Sequence, residues 1–598
     1  MNWRIIKNFF PVLPAVVIIG SCAKISSPSG GPKDKEPPVI VKSVPPDGSR
    51  NFRGNRFSIT FNEYVVLDKI NEKFMVSPPM STKPKVSLRG KSVNVELEDE
   101  LRDSTTYTFY FQDAIRDLNE GNTIDNYQFV ISTGPIIDSL SVTGNVYTAF
   151  TLDPPENALV LMYRNLDDTT VKSQLPEYIA RADRNGYFRI NNVRGGKYRL
   201  YALNDLDNSK NYNLAEENFA FLSDTLEITP EKNYLPVMKD TTVIKPVEKK
   251  VADTIVLHGE YKLILYAPLK KNHYLSSSDR KLQYQMMFTL SLPPDTMDFS
   301  FSIPGAAENS YFTEISKEKD TMLVWLTDTA LYRQQEIAAV VRYPFTDTTG
   351  ALTEKADTIR RRFLLPRSTR ARIKPAPLRV TTNISTGSLK PGQRITLVSP
   401  APFRQPDTSR IRLYEVVKSG KTGLPYEIRK DTLNSCRLFI SASLEPGKNY
   451  LYIADSASLG TIYGENSDSS GIRFMVREPE SYGKLRVNIK NYKGDRIIQL
   501  LDGNDKVLQQ VYMKEDGMAE FGLLEKGTYR LRTLYDLNND GKWTTGDFDR
   551  RMQPEPVSFY NKELNIKEDW IVEEEWDISE INVKNLKAKT QKSRTSLK

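Results

Sequence analysis

Apolar residues in this chain recur at every second position, in short runs that follow one another over most of its length. Phe57, Ile59 and Phe61 alternate with polar residues, and the runs at 93–97 and 107–111 follow the same pattern. A period of two places alternate side chains on one face of a β-strand, whereas a helix would need a period near 3.6. Pro, Gly, Asn and Asp separate the runs, as is typical of turns. The pattern predicts an all-β chain.

Chain length indicates how many domains to expect, and net charge limits the class of partner. A chain of 598 residues is too long for one hydrophobic core, so we expect a multidomain string of β-sandwiches. The formal net charge is +8, which is small for this length and argues against a nucleic-acid partner. The chain has two cysteines, Cys22 and Cys436.

The N-terminus has the order of a secretory signal. Arg4 and Lys7 precede an apolar run at 9–19, which is about half the length that a membrane-spanning helix needs and contains two prolines. We therefore predict a signal peptide at 1–21. The residues that close it, Ile-Gly-Ser-Cys at 19–22, resemble the lipobox of bacterial lipoproteins. The resemblance implies that the Cys22 thiol is acylated, which would leave Cys436 without a disulfide partner.

A tether and an Ig-like domain are predicted next. Residues 22–38 are rich in Ser, Gly and Pro and offer almost nothing to bury, so they should form an unfolded tether. Residues 39–134 form the first predicted sandwich. Four short motifs carry its resemblance to the SbsA-like bacterial Ig domain: Pro-Pro-Asp-Gly at 45–48, Ile-Thr-Phe-Asn-Glu at 59–63, Asp-Leu-Asn-Glu-Gly-Asn at 117–122 and Phe-Val-Ile-Ser-Thr at 129–133.

A module that occurs twice is the strongest internal signal. Residues 137–235 contain an Asn-Gly turn at 185–186, typical of tight hairpins, followed by a Gly-x-Tyr-x-Leu strand. This combination resembles transthyretin-like or carboxypeptidase-regulatory β-sandwiches. Residues 515–536 align with 184–205 without a gap, so we predict a second copy at 482–577.

The second copy continues into a loop that resembles EF-type or dockerin-type calcium loops. Its oxygen-bearing residues at loop positions 1, 3, 5, 7 and 12 are Asp536, Asn538, Asp540, Lys542 (through its carbonyl) and Asp547. Gly541 stands at position 6, and such spacing lets one turn supply most of the oxygens that Ca²⁺ needs. Position 12 is Asp instead of a bidentate Glu, and a strand precedes the loop. A turn with solvated carboxylates is therefore the alternative; if Ca²⁺ binds, its role should be structural.

The first copy has a weaker version of the same loop. Its residues at positions 1, 3, 5, 7 and 12 are Asp205, Asp207, Ser209, Asn211 and Glu216. Lys210 stands where the second copy has the glycine. The same two alternatives, a calcium loop and a turn, apply here.

The remaining segments are two further sandwiches, two linkers and a tail. Residues 255–365 and 377–477 show strand periodicity and predict Ig-like β-sandwiches. Residues 239–254 and 366–376 are rich in charge and proline and predict linkers. The tail at 583–598 is polar and basic.

Catalytic motifs are missing from the sequence. The chain has two histidines, and it contains neither a metalloprotease, a serine-hydrolase, a P-loop nor a dinucleotide-binding motif. We therefore predict a non-enzymatic structural or protein-interaction scaffold. A surface carbohydrate-binding or adhesin-like protein is the alternative, and it would need exposed aromatic residues on a sandwich face.

The order of segments resembles a group of lipoproteins from Bacteroidetes-type bacteria. That resemblance implies an outer-membrane address, with the membrane reached through the N-terminal lipid, an envelope protein as the main expected partner and a glycan as the other. Residues 23–26 lack an acidic cluster of the kind that resembles a surface-export signal. Both the periplasmic face and the cell surface therefore remain open.

Overall fold

The computed structural model describes residues 34–229, 256–294, 297–364, 377–491 and 494–579. Strands dominate these residues, and the helices are single turns, so the predicted all-β, multidomain fold is confirmed. Several predicted segments lie outside the described residues: the signal peptide at 1–21 with Cys22, most of the tether, both linkers and the tail at 583–598. None of the helices that are described is long and apolar enough to span a membrane.

The first sandwich is the N-terminal Ig domain. One sheet has the order β1-β2-β6-β5, the second has the order β4-β7-β9, and β3 and β8 form a two-stranded ribbon. Phe57, Phe109 and Phe129 lie at the centre of its core. Its elements are β1 (Ile40–Val44), β2 (Arg56–Phe61), β3 (Val65–Leu67), α1 (Ile70–Lys73), β4 (Met75–Ser77), β5 (Lys85–Arg89), β6 (Ser92–Glu96), β7 (Thr106–Gln112), β8 (Ile115–Asp117) and β9 (Tyr127–Ser132).

The next sandwich is the first repeat module. A three-stranded sheet, β13-β10-β17, packs on a five-stranded sheet in which β14 is flanked by β11 on one side and by β15 and β16 on the other. Its elements are β10 (Leu140–Thr148), β11 (Leu159–Tyr163), α2 (Thr170–Ser173), β12 (Tyr178–Arg181), β13 (Tyr187–Val193), β14 (Gly196–Leu203), β15 (Phe219–Phe221), β16 (Leu226–Ile228) and β17 (Val256–Leu265).

Two predictions for this module need correction. The boundary at 235 is wrong, because β17 pairs in parallel with β10 and completes the module's smaller sheet, so the module continues to Leu265. The Asn-Gly turn is present, with Gly186 at φ 78°. It joins β12 to β13, which belong to different sheets, and so it does not close a two-stranded hairpin. The Asp183 side chain orders the turn by accepting hydrogen bonds from the backbone N–H groups of Asn185 and Tyr187.

The third sandwich begins at Leu275, later than the predicted residue 255, because β17 belongs to the preceding module. Its sheets have the orders β18-β19-β22-β21 and β20-β23-β24. Its elements are β18 (Leu275–Leu282), β19 (Gln285–Leu290), β20 (Ser300–Ser302), β21 (Tyr311–Ile315), β22 (Thr321–Leu326), α3 (Thr329–Tyr332), β23 (Glu336–Thr346) and β24 (Leu352–Arg362).

The fourth sandwich has sheets with the orders β25-β27-β31-β30 and β26-β33-β32-β28-β29. A 3₁₀ turn at Thr408–Arg410 precedes β28, and another at Pro479–Ser481 leads into the last domain. Its strands are β25 (Thr381–Thr382), β26 (Ser388–Leu389), β27 (Ile395–Val398), β28 (Ile411–Val417), β29 (Gly420–Gly423), β30 (Tyr426–Lys430), β31 (Arg437–Ala442), β32 (Asn449–Ala454) and β33 (Ser470–Val476).

The last sandwich is the second repeat module, and it repeats the strand order of the first. Its small sheet is β37-β34-β41, with β41 parallel to β34, and its large sheet places β38 between β35 and the pair β39 and β40. Its strands are β34 (Gly483–Lys490), β35 (Arg496–Leu501), β36 (Val507–Met513), β37 (Gly517–Leu524), β38 (Gly527–Tyr535), β39 (Val557–Phe559), β40 (Leu564–Ile566) and β41 (Ile571–Asp577).

Strands that are buried on both faces reveal contacts between domains. β2 alternates between buried and more exposed residues, as expected for a strand with one face in a core. By contrast, every residue of β11 and β35 is buried. One face of each strand points into its own sandwich, so the other face must be covered by residues from elsewhere in the chain.

Candidate functional site

The calcium loop predicted in the second repeat module is a closed network of hydrogen bonds. Asp536 is buried, and its two carboxylate oxygens accept from the backbone N–H groups of Asp540 and Gly541 at 3.1 and 2.8 Å. The Asn538 amide nitrogen donates to Asp540 Oδ2 at 3.1 Å, and Asp540 Oδ1 accepts from the Lys542 N–H at 2.7 Å. Asp536, Asn538, Asp540 and Lys542 therefore lie together around a tight Asx-type turn.

Asp547, the fifth predicted ligand, lies outside this network. Its Oδ1 accepts from Lys271 Nζ at 3.1 Å and from the Asp549 N–H at 3.0 Å. The Asp549 contact lies within a neighbouring turn, and Lys271 follows β17 of the first repeat module, so this carboxylate faces that module. The five residues named from the sequence therefore do not converge on one point.

Glu555, and not the predicted position-12 residue Asp547, closes the base of this loop. This buried carboxylate accepts from the N–H groups of Leu537 and Thr544 at 2.7 and 2.8 Å, across the base of the loop. In the first module Glu217 has the same role and accepts from the Leu206 N–H at 3.0 Å. The predicted Glu216 is exposed, and its neighbour Glu217 is the residue that closes the loop. The shared signal is that each glutamate stands two residues before the strand that follows its loop.

The first module's loop brings three carboxylates closer together than the second. Asp205, Asp207 and Glu217 each offer an oxygen within 4.8 Å of the others. Burial raises the pKa of Asp205 and of Glu217, whereas a hydrogen bond from Asn213 is the main cause that lowers the pKa of Asp207 to about 2. The three groups are thus placed in different electrostatic environments within one small loop.

The two repeat modules, although far apart in sequence, pack directly against each other. Phe548, which follows β38 of the second module, inserts among aromatic rings on the outer face of the first module's large sheet. Its ring centroid lies 4.9 Å from that of Phe219, 5.4 Å from that of Phe221 and 5.7 Å from that of Tyr201. Gly546 makes this approach possible, since a Cβ there would lie 2.6 Å from the Tyr266 ring. We call the contact region between the modules the module interface.

A loop of the first module likewise packs against the second module. Leu152, after β10, is buried against Ile497, Leu501 and other apolar residues on the outer face of β35 and β38. The neighbouring Phe150 ring lies 4.0 Å from the Arg532 guanidinium carbon. The guanidinium donates to Gln499 Oε1 at 2.6 and 3.0 Å, and burial lowers the pKa of Arg532 to about 10.

Ion pairs and hydrogen bonds surround the apolar centre of the module interface. Asp549 accepts from Lys172 at 2.6 Å and from Lys271 at 2.9 Å, and these two contacts lower its pKa to about 2. Arg551 pairs with Asp168, and the Gln553 amide donates to the Phe221 carbonyl at 2.9 Å. An apolar centre with a charged rim is the usual anatomy of a specific protein interface.

The outer strand of the large sheet is covered in the first module. β4 of the N-terminal Ig domain lies beside β12, and the Ile179 N–H donates to Ser77 Oγ at 3.0 Å. Ser77 is itself buried. The Ig domain therefore closes this sheet edge.

The equivalent edge in the second module, β36, is open in the described part of the chain. It is the end strand of its sheet, and Val507, Leu508 and Tyr512 are 38, 44 and 59% exposed. An exposed edge strand with apolar side chains is a typical site for pairing with another chain.

Comparison with known families assigns two parts of the chain. Residues 34–133 match the family described as Bacterial Ig-like domain, which confirms the Ig-like nature of the first sandwich. Residues 159–205, which cover β11 to β14, match the family described as Polysaccharide lyase family 4, domain II. The transthyretin- or carboxypeptidase-regulatory-like assignment of the repeat modules stays a prediction. No curated protein matches the chain.

Solved structures that match parts of the chain include an S-layer protein, a fragment of a bacterial alpha-2-macroglobulin and the Bacillus anthracis TIE protein. The N-terminal part of the bacterial S-layer protein SbsC is 16% identical, covers 31% of this chain and 40% of its own, and has a TM-score of 0.13. The MG0-NIE-MG1 part of Escherichia coli alpha-2-macroglobulin is 10% identical, with 43% and 93% coverage and a TM-score of 0.19. The Bacillus anthracis TIE protein is 9% identical, with 92% and 76% coverage and a TM-score of 0.12. Such low scores carry no information on function.

Proposed function

We propose that the chain is a non-catalytic scaffold of the cell envelope, fixed to the outer membrane by a lipid on Cys22, that presents a docking edge to a protein partner. The Ig-like match and the β-sandwich string support a structural or interaction role. The open edge of β36 carries the proposal, because the equivalent edge in the first module is already used for binding a domain. A partner with an exposed strand of its own would pair with the free backbone edge of β36.

Site-specific photo-crosslinking in native cells tests this docking edge. A photoreactive phenylalanine analogue at Tyr512 should give one discrete crosslinked product, since this side chain is exposed on the edge strand. The matched control is Tyr64 in the N-terminal Ig domain, which is 57% exposed and lies away from β36. Equal products from both positions, or none from Tyr512, would contradict a partner at this edge.

The lipid anchor is tested separately, because it depends on the lipobox resemblance alone. Cys22→Ala should release the protein from the membrane fraction. Protease treatment of intact cells then distinguishes the two faces: loss of the wild-type protein indicates the surface, and its survival indicates the periplasmic face. A Cys22→Ala variant that stays with the membrane would contradict lipid anchoring.

The carbohydrate-binding alternative has less support. Strongly exposed aromatic residues among those described do not share one sandwich face. They are Tyr64 in the Ig domain, Tyr187 in the first repeat module, Tyr274 at the start of the third sandwich and, in the second repeat module, Tyr512 on β36 and Trp570 next to β41, two strands of different sheets. No described sandwich face combines them into a stacking platform. A glycan array should therefore give no binding, and reproducible binding would favour the alternative.

Structural Ca²⁺ remains a proposal, and the carboxylate positions favour the first module over the second. We expect Ca²⁺ to raise the unfolding temperature of the wild-type protein. Asp207→Asn should remove most of this rise, because it takes one of three converging carboxylates. Asp547→Asn should leave the rise unchanged, since that carboxylate lies outside its loop. If Asp547→Asn removed the rise and Asp207→Asn left it unchanged, the calcium site would instead lie in the second module.

A further inference from the structure

A cavity of about 360 Å³ lies between the N-terminal Ig domain and the first repeat module. Its walls are largely apolar, with Phe74, Val76 and Met80 from the Ig domain and Leu159 and Ile179 from the module. The volume is within the range of small-molecule sites, which often lie between domains. The cavity is separate from the module interface and from β36.

Three cationic side chains line the same cavity: Lys83, Arg181 and Lys210. None of them forms an ion pair with a described residue. Arg181 reaches only the Glu72 carbonyl and the Asn157 side chain, both at 3.5 Å, and its buried Nε has no hydrogen-bond partner there. A buried guanidinium nitrogen without an acceptor is costly, so an acceptor from a bound molecule would fit.

The carboxylates of the cavity do not fully neutralise these cations. Two of them, Glu72 and Asp205, also line it, so the three cations exceed the anions by one, and both Asp205 oxygens already accept from the Ser209 and Lys210 N–H groups at 3.1 Å. Burial, with repulsion from Lys210 and Arg181, lowers the pKa of Lys83. The site therefore has an excess of positive charge in partly desolvated surroundings.

Comparison with the second module shows that these cations are specific to the first. Lys210 has φ 59°, a left-handed conformation that disfavours any residue with a side chain, and the second module has Gly541 at this position with φ 74°. Strand pairing places Arg181 where the second module has Tyr512. A strained lysine retained beside a cavity points to a function of its side chain.

We propose that this cavity binds a small organic anion, whose carboxylate or phosphate group contacts the three cations and whose apolar part lies against the wall. Calorimetric titration of the full-length protein with hexanoate and with hexyl phosphate tests this. At least one of the two should bind, and the tighter one identifies the charged group. Hexanol, which lacks the charge, and inorganic phosphate, which lacks the apolar part, should bind at least tenfold more weakly.

Variants separate binding at the cavity from a loss of fold. Arg181→Gln and Lys210→Gly should each weaken anion binding about tenfold, as expected for loss of a charged hydrogen bond. Lys210→Gly should not lower the midpoint of urea unfolding, because glycine accepts the left-handed backbone. The control is Lys319→Gly, which has the same charge loss and a φ of 60° in the third sandwich, and it should bind like the wild type.

Three results would overturn the proposal. They are no binding of either anion at millimolar concentration, undiminished binding by Lys210→Gly and Arg181→Gln, and equal binding of hexanol. A failure here leaves the proposed scaffold role untouched, since that role rests on β36.

Discussion

The two repeat modules have the same strand order but different surroundings. In each, a three-stranded sheet with one parallel strand packs on a five-stranded sheet. The first module has its outer edge closed by the Ig domain and carries a cationic cavity beside that edge. The second has an open edge and a glycine-containing loop. The comparison shows that the shared strand order determines where loops and edges lie, while a few residues determine the charge and exposure of each loop and edge.

The core residues of the two repeat modules also differ, although the strand order is the same in both. Phe188 and Ala519 are equivalent because each stands two residues after its turn glycine. Phe188 pairs with Gly144, whereas Ala519 pairs with Val487. A large residue is thus matched with a small one in both copies, with the sizes exchanged between strands. Packed cores tolerate such exchanges when the total volume is kept.

The largest effect is expected at the module interface, from Phe548→Ala. Removing a buried phenylalanine from an aromatic cluster should lower the free energy of unfolding of the modules by about 3–5 kcal/mol. Urea unfolding measures this loss, and small-angle scattering should show a larger radius of gyration if the modules separate. Leu537→Ala, at a residue 63% exposed in the same loop, is the control and should change stability by less than about 0.5 kcal/mol. Equal effects of the two changes would contradict a packed module interface.

The next largest loss of stability is expected from Gly144→Ala. This change tests the pairing of Gly144 with Phe188 in the core of the first module. A Cβ at this position would lie 2.1 Å from the Tyr261 carbonyl oxygen and 2.7 Å from the Phe188 ring. We expect a loss of at least about 1–3 kcal/mol, the usual effect of overpacking a core. The matched change Val487→Ala removes volume instead and should cost about 1–2 kcal/mol. A stable Gly144→Ala protein would show that the two cores are more alike than their pairing indicates.

Local patterns in the sequence explain which features could be predicted. Alternation of apolar residues fixes strands, and the repeated Gly-x-Tyr motif fixes the second module at 482–577, so both were accessible. The predicted boundary at 255 assigns β17 to the third sandwich, because pairing with a parallel strand far along the chain leaves no local sign in the sequence. The module interface is unpredictable for the same reason, since Phe548 and Phe219 share no motif. No common spacing predicts Glu217 and Glu555, because the number of residues that separates each from Asp205 or Asp536 differs between the two loops.

A smaller effect is expected from exchanging the loop residues, with Lys210→Gly in the first module and Gly541→Lys in the second. Gly541→Lys should lower the free energy of unfolding by about 1 kcal/mol, because a side chain is placed in the left-handed region at φ 74°. Part of that loss is offset by the reduced freedom of the unfolded chain. Lys210→Gly should be neutral or stabilising. If Gly541→Lys were equally neutral, the strain argument for Lys210 would fail.

The smallest effect concerns the charged rim of the module interface and its pH dependence. Lys172 and Lys271 lower the pKa of Asp549 to about 2 from an ordinary value of 3.8. A carboxyl with a lowered folded-state pKa stabilises the fold above its unfolded pKa and loses that contribution as the pH falls. Asp549→Asn should therefore destabilise the modules at pH 7, and the difference from the wild type should shrink as the pH falls below 4 toward 2, where the folded-state carboxylate begins to take up its proton.

The Asp549 side chain is 54% exposed, so its contribution should stay below about 1 kcal/mol and shrink at high salt. Urea unfolding of both proteins between pH 7 and pH 2 measures the difference. Asp103→Asn breaks an exposed pair with Arg53 inside the Ig domain and should leave the modules unaffected. If the Asp549→Asn difference grew as the pH fell, the sign of the pKa shift would be wrong. If it exceeded the effect of Phe548→Ala, the rim and not the aromatic centre would join the two modules.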